Sequence, residues 1–311
     1  MPKTMILYGE SGTSKTSQIY HIAKYIYNKY GKRTRLIAAD GGGYQPILEG
    51  GLIELGFVEV FDVTQISRPY LDLRRLGDGF WPRDGRFDGT DFCRTKPDEW
   101  KEIGVIAIEG ITSIARILLN YASNYKDPAG NRMFKVPFTI SEEEYETSGT
   151  DRGHYGVVQN ILHELIVQQF NRLPVDYVIY TALVGRGESR VNRETIYGPK
   201  ATGEALTAEL PTWVGDCLHL SREVYQNQAG QKVETIACWY RNHPDPETNI
   251  PYLAKTRMVP EVYPEFCSMF PQGFVPLGVS QGIITYFSAV ESLNEKIKAE
   301  NKKKLGGKLN A

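Results

Sequence analysis

The residues best suited to chemistry lie near the N-terminus, in a glycine-rich turn that ends in a lysine and a threonine. The turn reads Gly9-Glu10-Ser11-Gly12-Thr13-Ser14-Lys15-Thr16, with Ser17 next, and it directly follows the apolar run 5–8. Backbone N–H groups of such a turn, with the start of a helix, can wrap a polyphosphate. Lys15 would reach the terminal phosphates and the Thr16 hydroxyl would hold Mg²⁺.

This segment resembles the P-loop, G-x-x-x-x-G-K-[ST], and its strand and helix context is present. Ser14 stands where the pattern has its second glycine. Glycine is favoured where the backbone needs a positive φ or passes close to a phosphate. Either the loop tolerates serine, or nucleotide binding is weakened. A tight turn with a coincidental lysine is the alternative interpretation.

Two acids follow predicted strands. Glu109 ends the apolar run 104–108, where a P-loop protein needs an acid to hold Mg²⁺. Asp40 ends the strand predicted at 35–39 and could orient or deprotonate an attacking water. Either acid could instead be structural: Glu109 as a strand-end carboxylate, and Asp40 as a turn former before glycines.

The first half of the chain alternates strands with helices. This alternation predicts parallel βαβ units in a three-layer α/β domain. Strands are predicted at 4–8, 35–39, 58–63, 104–108 and 177–183, and helices at 16–29 and 155–173. The second half predicts a hairpin of 218–225 with 233–240, a strand at 252–258 and a helix from Gln281.

We expect one α/β core over 1–260, interrupted by an insertion at about 64–101 that lacks periodicity. Residues 261–311 form a Pro-rich segment, a C-terminal helix and a lysine-rich tail. The tail could bind nucleic acid or a single-strand-binding protein, and a solvated terminus is the alternative.

Composition narrows the class of protein. The 311 residues carry 36 Lys+Arg against 37 Asp+Glu, so nucleic-acid binding would need a local basic patch or an assembled ring. The four cysteines have no C-x-x-C spacing, which predicts reduced, mostly buried thiols rather than a zinc site. With no signal segment or long apolar run, we expect a cytoplasmic protein without a membrane partner.

The order of the P-loop, LIAAD, VIAIEG, DYVIYTAL and AKTR resembles the RecA-like ATPase core. The core at 1–260 thus resembles a RecA-like ATPase core, and within that family it resembles phage-type proteins of the Sak group, associated with single-strand annealing and recombination. This resemblance implies ATP and Mg²⁺ as cofactors, Asp40 as catalytic carboxylate, and Glu109 as the Walker B acid. It also implies a mainly parallel sheet flanked by helices, with antiparallel strands on the C-terminal side, and the host cytoplasm if a phage encodes the protein.

Lys255 and Arg257 resemble the K-x-R pair of RecA, DnaB and KaiC relatives. Residues two apart on a strand lie on the same side. In those families the two cations reach the γ-phosphate of a neighbouring subunit, which implies self-assembly into a ring or filament. Solvent-facing charges on an edge strand are the alternative.

The resemblance also implies single-stranded DNA binding by two loops, at about 125–153 and 184–205. The second contains four cations interleaved with a tyrosine and with glycines that we expect to make the loop flexible, which suits backbone tracking and stacking. The candidate DNA-binding residues are Arg186, Arg190, Arg193 and Lys200. A mobile solvated loop is the alternative. The first loop is acidic at 142–144, which favours contact with another subunit.

Three functions remain open from the sequence. The first is a DNA-stimulated RecA-like ATPase in recombination, annealing or replication. The second is a small-molecule phosphotransferase with the same P-loop, whose lid would be the Arg-rich insertion. The third is a degenerate P-loop protein that binds nucleotide without turnover and acts in assembly.

Overall fold

The computed structural model describes most of the chain, and all structural statements concern that part. The described residues are 1–40, 42–65, 69–82, 92–124, 152–189, 192–226, 230–256, 264–277, 283–292, 295–296 and 299. Arg190, Arg257, Gln281, residues 125–151 of the first predicted DNA loop and the lysine tail after 300 therefore lie outside the described residues.

A central sheet, with eight strands in the described part of the chain, organises the fold. Its spatial order is β14-β11-β10-β1-β7-β6-β2-β3, and the six strands from β10 to β3 run parallel. In chain order these strands are β1 (Lys3–Gly9), β2 (Arg33–Ala38), β3 (Val58–Asp62), β6 (Ile103–Glu109), β7 (Tyr177–Ala182), β10 (Asp216–Gln226), β11 (Lys232–Trp239) and β14 (Phe274–Pro276). The antiparallel β10–β11 pair confirms the predicted hairpin.

Helices cover both faces of this sheet. On one face lie α1 (Lys15–Tyr30), α2 (Gln45–Glu49), α8 (Pro264–Met269) and a helix at 284–292. On the other lie α3 (Pro69–Gly77), α5 (Ile111–Asn124) and α6 (Arg152–His163), which continues through a π-helical turn (Glu164–Gln169). The mainly parallel sheet, flanking helices and C-terminal antiparallel strands confirm the predicted fold class.

The apolar periodicity of α1 explains its position. Ile19, Ile22 and Ile26 form one stripe of the helix and are almost fully buried against the sheet. Gly31 ends the helix in the left-handed conformation that favours glycine, and its N–H donates to Tyr27 O over 2.8 Å. The helix thus holds the preceding turn against the C-terminal edge of the sheet.

A second, smaller sheet contains the segment that the sequence predicts to be a flexible DNA-binding loop. Its order is β12 (His243–Pro244), β13 (Pro251–Tyr252), β9 (Thr195–Pro199) and β8 (Val184–Glu188). A β-carbon on Gly187 would lie 2.9 Å from Thr207 Cβ, on α7 (Glu204–Glu209). The glycines of this hairpin therefore permit close helix packing, which corrects the expectation that they make the loop flexible.

The predicted insertion contains regular elements. Besides α3, it includes the hairpin of β4 (Phe80–Pro82) with β5 (Phe92–Arg94), and α4 (Pro97–Lys101). Arg35 of β2 ties it to the core, since only 2% of this side chain is exposed. Its guanidinium donates to Thr95 Oγ1 and Glu59 Oε2, and lies 4.8 Å from the centroid of the Trp81 ring. The buried residues Pro69, Leu73 and Leu76 of α3 follow helical spacing, so the predicted lack of periodicity is wrong for this helix.

The strand predicted at 252–258 is wrong for the described residues after Tyr252. Strand pairing ends at Tyr252, and Lys255 makes only an isolated bridge to Cys217. The backbone is held instead by Leu253 N–H, which donates to Tyr197 O, and by Ala254 N–H, which donates to Asn242 Oδ1. These single contacts replace a strand ladder.

Two further expectations concern membranes and thiols. None of the helices in the described residues is long and apolar enough to cross a membrane. All four cysteines are free thiols, and Cys217, Cys238 and Cys267 are buried, as predicted.

Candidate nucleotide-binding site

The glycine-rich turn connects β1 to α1 at the carboxyl end of the parallel strands. Gly12 and Ser14 both have positive φ, at 79° and 60°. Ser14 therefore adopts the left-handed conformation in which glycine is normally found, at a cost of about 1 kcal/mol. The fold tolerates serine at this position and retains the strain.

Lys15 folds back over the turn. Its Nζ donates to Gly9 O over 2.9 Å and to Glu10 O over 2.7 Å. Burial lowers the pKa of this amine, while the nearby Glu109, Glu10 and Asp40 carboxylates oppose that shift. The lysine is thus held at the turn in a position from which its ammonium could exchange carbonyl oxygens for phosphate oxygens.

Gly9 allows the turn to pass close to β10. A β-carbon on Gly9 would lie 2.6 Å from Thr13 Oγ1 and would collide with Leu220 O. Thr13 is buried, and its Oγ1 donates to Glu10 O over 2.8 Å. By contrast, Glu10, Ser11 and Gly12 are exposed at the tip of the turn, and Thr16 and Ser17 are half-buried at the start of α1.

The tertiary structure brings Glu109 to this turn. Thr16 Oγ1 donates to Glu109 Oε1 over 3.1 Å. The two residues meet although β7 lies between β1, which precedes Thr16, and β6, which ends at Glu109. Glu109 is only 4% exposed, and its Oε2 has no hydrogen-bond partner among the described residues. Burial, and then the nearby Asp40 carboxylate, raise the pKa of Glu109 to about 7.

Asp40 lies beside Glu109, at the end of β2. Ser113 Oγ, in the first turn of α5, donates to Asp40 Oδ1. Asp40 O also accepts N–H bonds of 2.8 Å from Gly42 and Gly43. The residue is therefore both a turn former and a side chain facing the Glu109 region, so the two interpretations of Asp40 are compatible.

Two glycines make room for these carboxylates. A β-carbon on Gly43 would lie 2.8 Å from Glu109 Cδ and closer still to Oε2. A β-carbon on Gly110, whose φ is 88°, would lie 3.1 Å from Asp40 Oδ2. Thr181, the polar residue near the end of β7, accepts a 2.8 Å hydrogen bond from Gly110 N–H. Thr181 thus holds the backbone that follows Glu109.

Arg222 is a residue at this site that the sequence did not indicate. It extends from β10, and its Nη2 donates to Gly12 O over 3.3 Å. The side chain is exposed, so its charge stands at the rim of the turn. The alternation of side chains along β10 could have predicted on which face of the sheet Arg222 lies. Only the pairing of Leu220 with Gly9 shows that this position is beside the turn.

A stack of rings connects β1 to the small sheet. Tyr8, just before the turn, lies 4.9 Å from His219, whose ring stacks at 4.1 Å on Tyr252. Tyr252 in turn lies 4.9 Å from Tyr197 of the β8–β9 hairpin. Burial lowers the pKa of His219 to about 3, so this ring is neutral at pH 7. The stack is a continuous contact between the turn and the predicted DNA-binding hairpin.

The other predicted site residues that the structure describes lie away from the turn. Lys255 Nζ donates to Pro211 O over 3.1 Å and to Val214 O over 3.0 Å, near the start of β10. Arg186, Arg193 and Lys200 are exposed on or beside the β8–β9 hairpin, where Arg186 is paired opposite Tyr197. Within one chain, the structure does not bring these cations to the turn.

The site suits Mg²⁺ that arrives with a polyphosphate. The described residues contain no group of three or more His, Cys, Asp or Glu that could hold a metal by themselves. Thr16 and the unpartnered Oε2 of Glu109 provide the hard oxygen atoms that Mg²⁺ prefers, and Mg²⁺ usually completes its shell with phosphates and waters.

Comparison with known proteins does not assign the chain to a family. No known family and no curated protein matches the chain by sequence. Among solved structures, one similar chain is a KaiC-like protein from the hyperthermophilic archaeon Pyrococcus horikoshii OT3, at 12% identity. The match covers 76% of this chain and 77% of that one, with a TM-score of 0.36. A similarity of this size supports no statement about either fold or activity.

Proposed function

We propose that this protein is a RecA-like ATPase that binds Mg²⁺–ATP at the turn 9–17 and acts on single-stranded DNA in recombination, annealing or replication. The observation on which the proposal depends is the hydrogen bond from Thr16 to Glu109. It joins a hydroxyl and a buried carboxylate at the carboxyl edge of the sheet, where both could contact one metal ion. A nucleotide-independent role would not require this pairing.

Each residue has a role in this proposal. Backbone N–H groups of the turn bind the β- and γ-phosphates, and Lys15 neutralises their charge. Thr16 and Glu109 would hold Mg²⁺, which would polarise the phosphates. Asp40, oriented by Ser113, positions the attacking water and accepts its proton.

The test of nucleotide binding is a titration with ATP in Mg²⁺. Lys15→Ala should weaken ATP affinity at least 100-fold, because the other cation at the turn, Arg222, is exposed on its rim and does not occupy the position of the Lys15 ammonium. Lys101→Ala is a matched control, since Lys101 is exposed and pairs with Asp98 at 2.8 Å, outside the turn. A Lys15→Ala protein with unchanged affinity and turnover would refute the proposal.

The proposed action on DNA requires a separate test. We expect single-stranded DNA to stimulate hydrolysis and to increase the size of the assembly together with ATP. The phosphotransferase alternative predicts that DNA has no effect and that a small acceptor stimulates instead. ATP binding without turnover in any assembled state would favour the structural alternative.

Lys255 and Arg257 are proposed to act on the nucleotide of a neighbouring subunit. The carbonyl contacts of Lys255 would then be exchanged on assembly. Mixing Lys15→Ala subunits with Arg257→Ala subunits tests this, because mixed interfaces would pair an intact turn with an intact trans arginine. Recovery of ATPase activity on mixing is expected, whereas a cis role predicts none.

A further inference from the structure

A cavity of about 310 Å³ lies near the amino ends of the parallel strands, at the opposite end of the sheet from the turn. Its lining includes residues just before β6 and β7, such as Trp100 and Pro174, together with Gly77 at the end of α3. The nucleotide site lies at the other ends of these strands. Since β6 has seven residues, its amino and carboxyl ends are about 23 Å apart at about 3.3 Å per residue. The cavity is therefore separate from the site described above.

Two arginines line this cavity without partners. Arg94, at the end of β5, and Arg172, before β7, are both exposed. Neither guanidinium has an ion-pair or hydrogen-bond partner among the described residues. Other arginines of the same region are paired, as Arg75 is with Asp72 at 3.3 Å. Two unpaired guanidiniums on one cavity fit the bidentate recognition of a phosphate.

The remaining walls combine a ring with amide groups. Trp100 is half-buried, and Gly79 allows close approach to it, because a β-carbon there would lie 3.1 Å from Trp100 Cζ2. Gln168 is exposed at the cavity and could contact the edge of a base. Gln169 Nε2 donates to Asp78 Oδ1 over 3.1 Å, while its Oε1 is buried without a partner among the described residues.

The backbone here is also unusual. Gln168 and Gln169 belong to the π-helical turn that follows α6, and such turns occur frequently at functional sites. A buried hydrogen-bond acceptor without a partner, such as Gln169 Oε1, is also uncommon in folded proteins. The volume falls at the lower end of the range for small-molecule sites.

We propose that this cavity binds a mononucleotide, with the phosphate on Arg94 and Arg172 and the base against Trp100. Two cations and one carboxylate, Asp78, leave the cavity positive, which suits a phosphate monoester. The polar wall disfavours a purely apolar ligand. This cavity is separate from the turn 9–17, and the proposal does not depend on the proposed ATPase activity.

The test uses the full-length Lys15→Ala protein, so that the turn does not compete for ligand. AMP should bind saturably in calorimetry and change tryptophan fluorescence. Adenosine, which lacks the phosphate, should bind at least tenfold more weakly. If AMP binds wild-type protein but not Lys15→Ala protein, the ligand occupies the turn and the proposal is wrong.

Variants of the two arginines locate the site. Arg94→Gln combined with Arg172→Gln should weaken AMP affinity at least tenfold, and both residues are exposed, so folding should persist. Arg116→Gln is the control, because Arg116 is exposed on α5 outside the cavity. Unchanged affinity in the double variant, or no saturable binding at millimolar AMP, would overturn the inference.

Discussion

Thr16 Oγ1 donates a 3.1 Å hydrogen bond to Glu109 Oε1, joining the first turn of α1 to the end of β6 across 93 positions of sequence. This bond satisfies one carboxylate oxygen and leaves the other buried without a partner among the described residues. The site is therefore organised around a carboxyl group whose charge is only partly compensated. That property leads to the first prediction.

Glu109 should make the apo protein less stable as pH rises. Folding raises its pKa from 4.5 to about 7, so the folded state holds the proton more tightly. The stabilising contribution is complete below pH 4.5 and is lost as pH rises through about 7. The loss is about 3 kcal/mol at most.

Urea unfolding at pH 5 and pH 8, in EDTA, measures this effect. Glu109→Gln should reduce the difference between the two pH values, whereas exposed Glu234→Gln should not. An equal pH difference in wild type and Glu109→Gln would contradict the assignment of the raised pKa.

Gly43→Ala should reduce Mg²⁺-dependent ATP turnover at least tenfold. The new methyl group would lie 2.8 Å from Glu109 Cδ and would displace the carboxylate from Thr16. Gly42→Ala is a matched control, because a β-carbon there meets nothing within 4 Å. Steady-state kinetics at several Mg²⁺ concentrations should separate the two, and equal effects would show that the steric contact is unimportant.

Ser14→Gly should stabilise the protein by up to about 1 kcal/mol. Glycine adopts the φ of 60° without the cost that a side chain adds, although its more flexible unfolded chain offsets part of the gain. Thermal unfolding should show an increase of about 1–3 °C. Ser14→Ala retains the β-carbon and should show none. A lower melting temperature for Ser14→Gly would indicate that the serine hydroxyl stabilises the turn.

Arg222→Ala should weaken ATP affinity about 3- to 10-fold. The guanidinium stands at Gly12 O, on the rim of the turn, where it adds positive charge near the phosphates. Arg222→Lys keeps the charge and should restore part of the affinity. If nucleotide titrations show equal affinity for wild type and Arg222→Ala, the arginine only supports the loop.

Substitution of the hairpin cations should weaken single-stranded DNA binding and lower its salt dependence. Each of Arg186→Ala, Arg193→Ala and Lys200→Ala should reduce the salt slope by up to about 1 if the side chain contacts a phosphate. Fluorescence anisotropy over a range of salt concentrations measures the slope. Lys101→Ala is the control, and identical slopes in all four variants would place the DNA elsewhere.

Short-range patterns of sequence predicted the elements of the site. The apolar run before Gly9 and the stripe of Ile19 and Ile22 were sufficient to predict a strand, a turn and a helix. Asp40 and Glu109 could be predicted to lie at strand ends, because each follows an apolar run. Such features depend on neighbours in the chain, so they can be read without the fold.

Long-range contacts decided what sequence patterns could not. The glycines of the β8–β9 hairpin were interpreted as flexible, whereas α7 requires them for close packing. The run 253–256 has the composition of a strand, yet Lys255 makes only one bridge. In both cases a segment distant in the chain determines the conformation, and the local sequence does not show which segment that is.

The sequence by itself determined a glycine-rich turn that ends in Lys15 and Thr16, two strand-end acids and an alternating α/β order, because these follow from backbone geometry and side-chain periodicity. Only the tertiary structure decided that Glu109 meets Thr16, that Arg222 reaches Gly12, and that Arg94 and Arg172 share a cavity. The reason is that strand order and sheet register bring together residues far apart in the chain, and these depend on packing of the whole core.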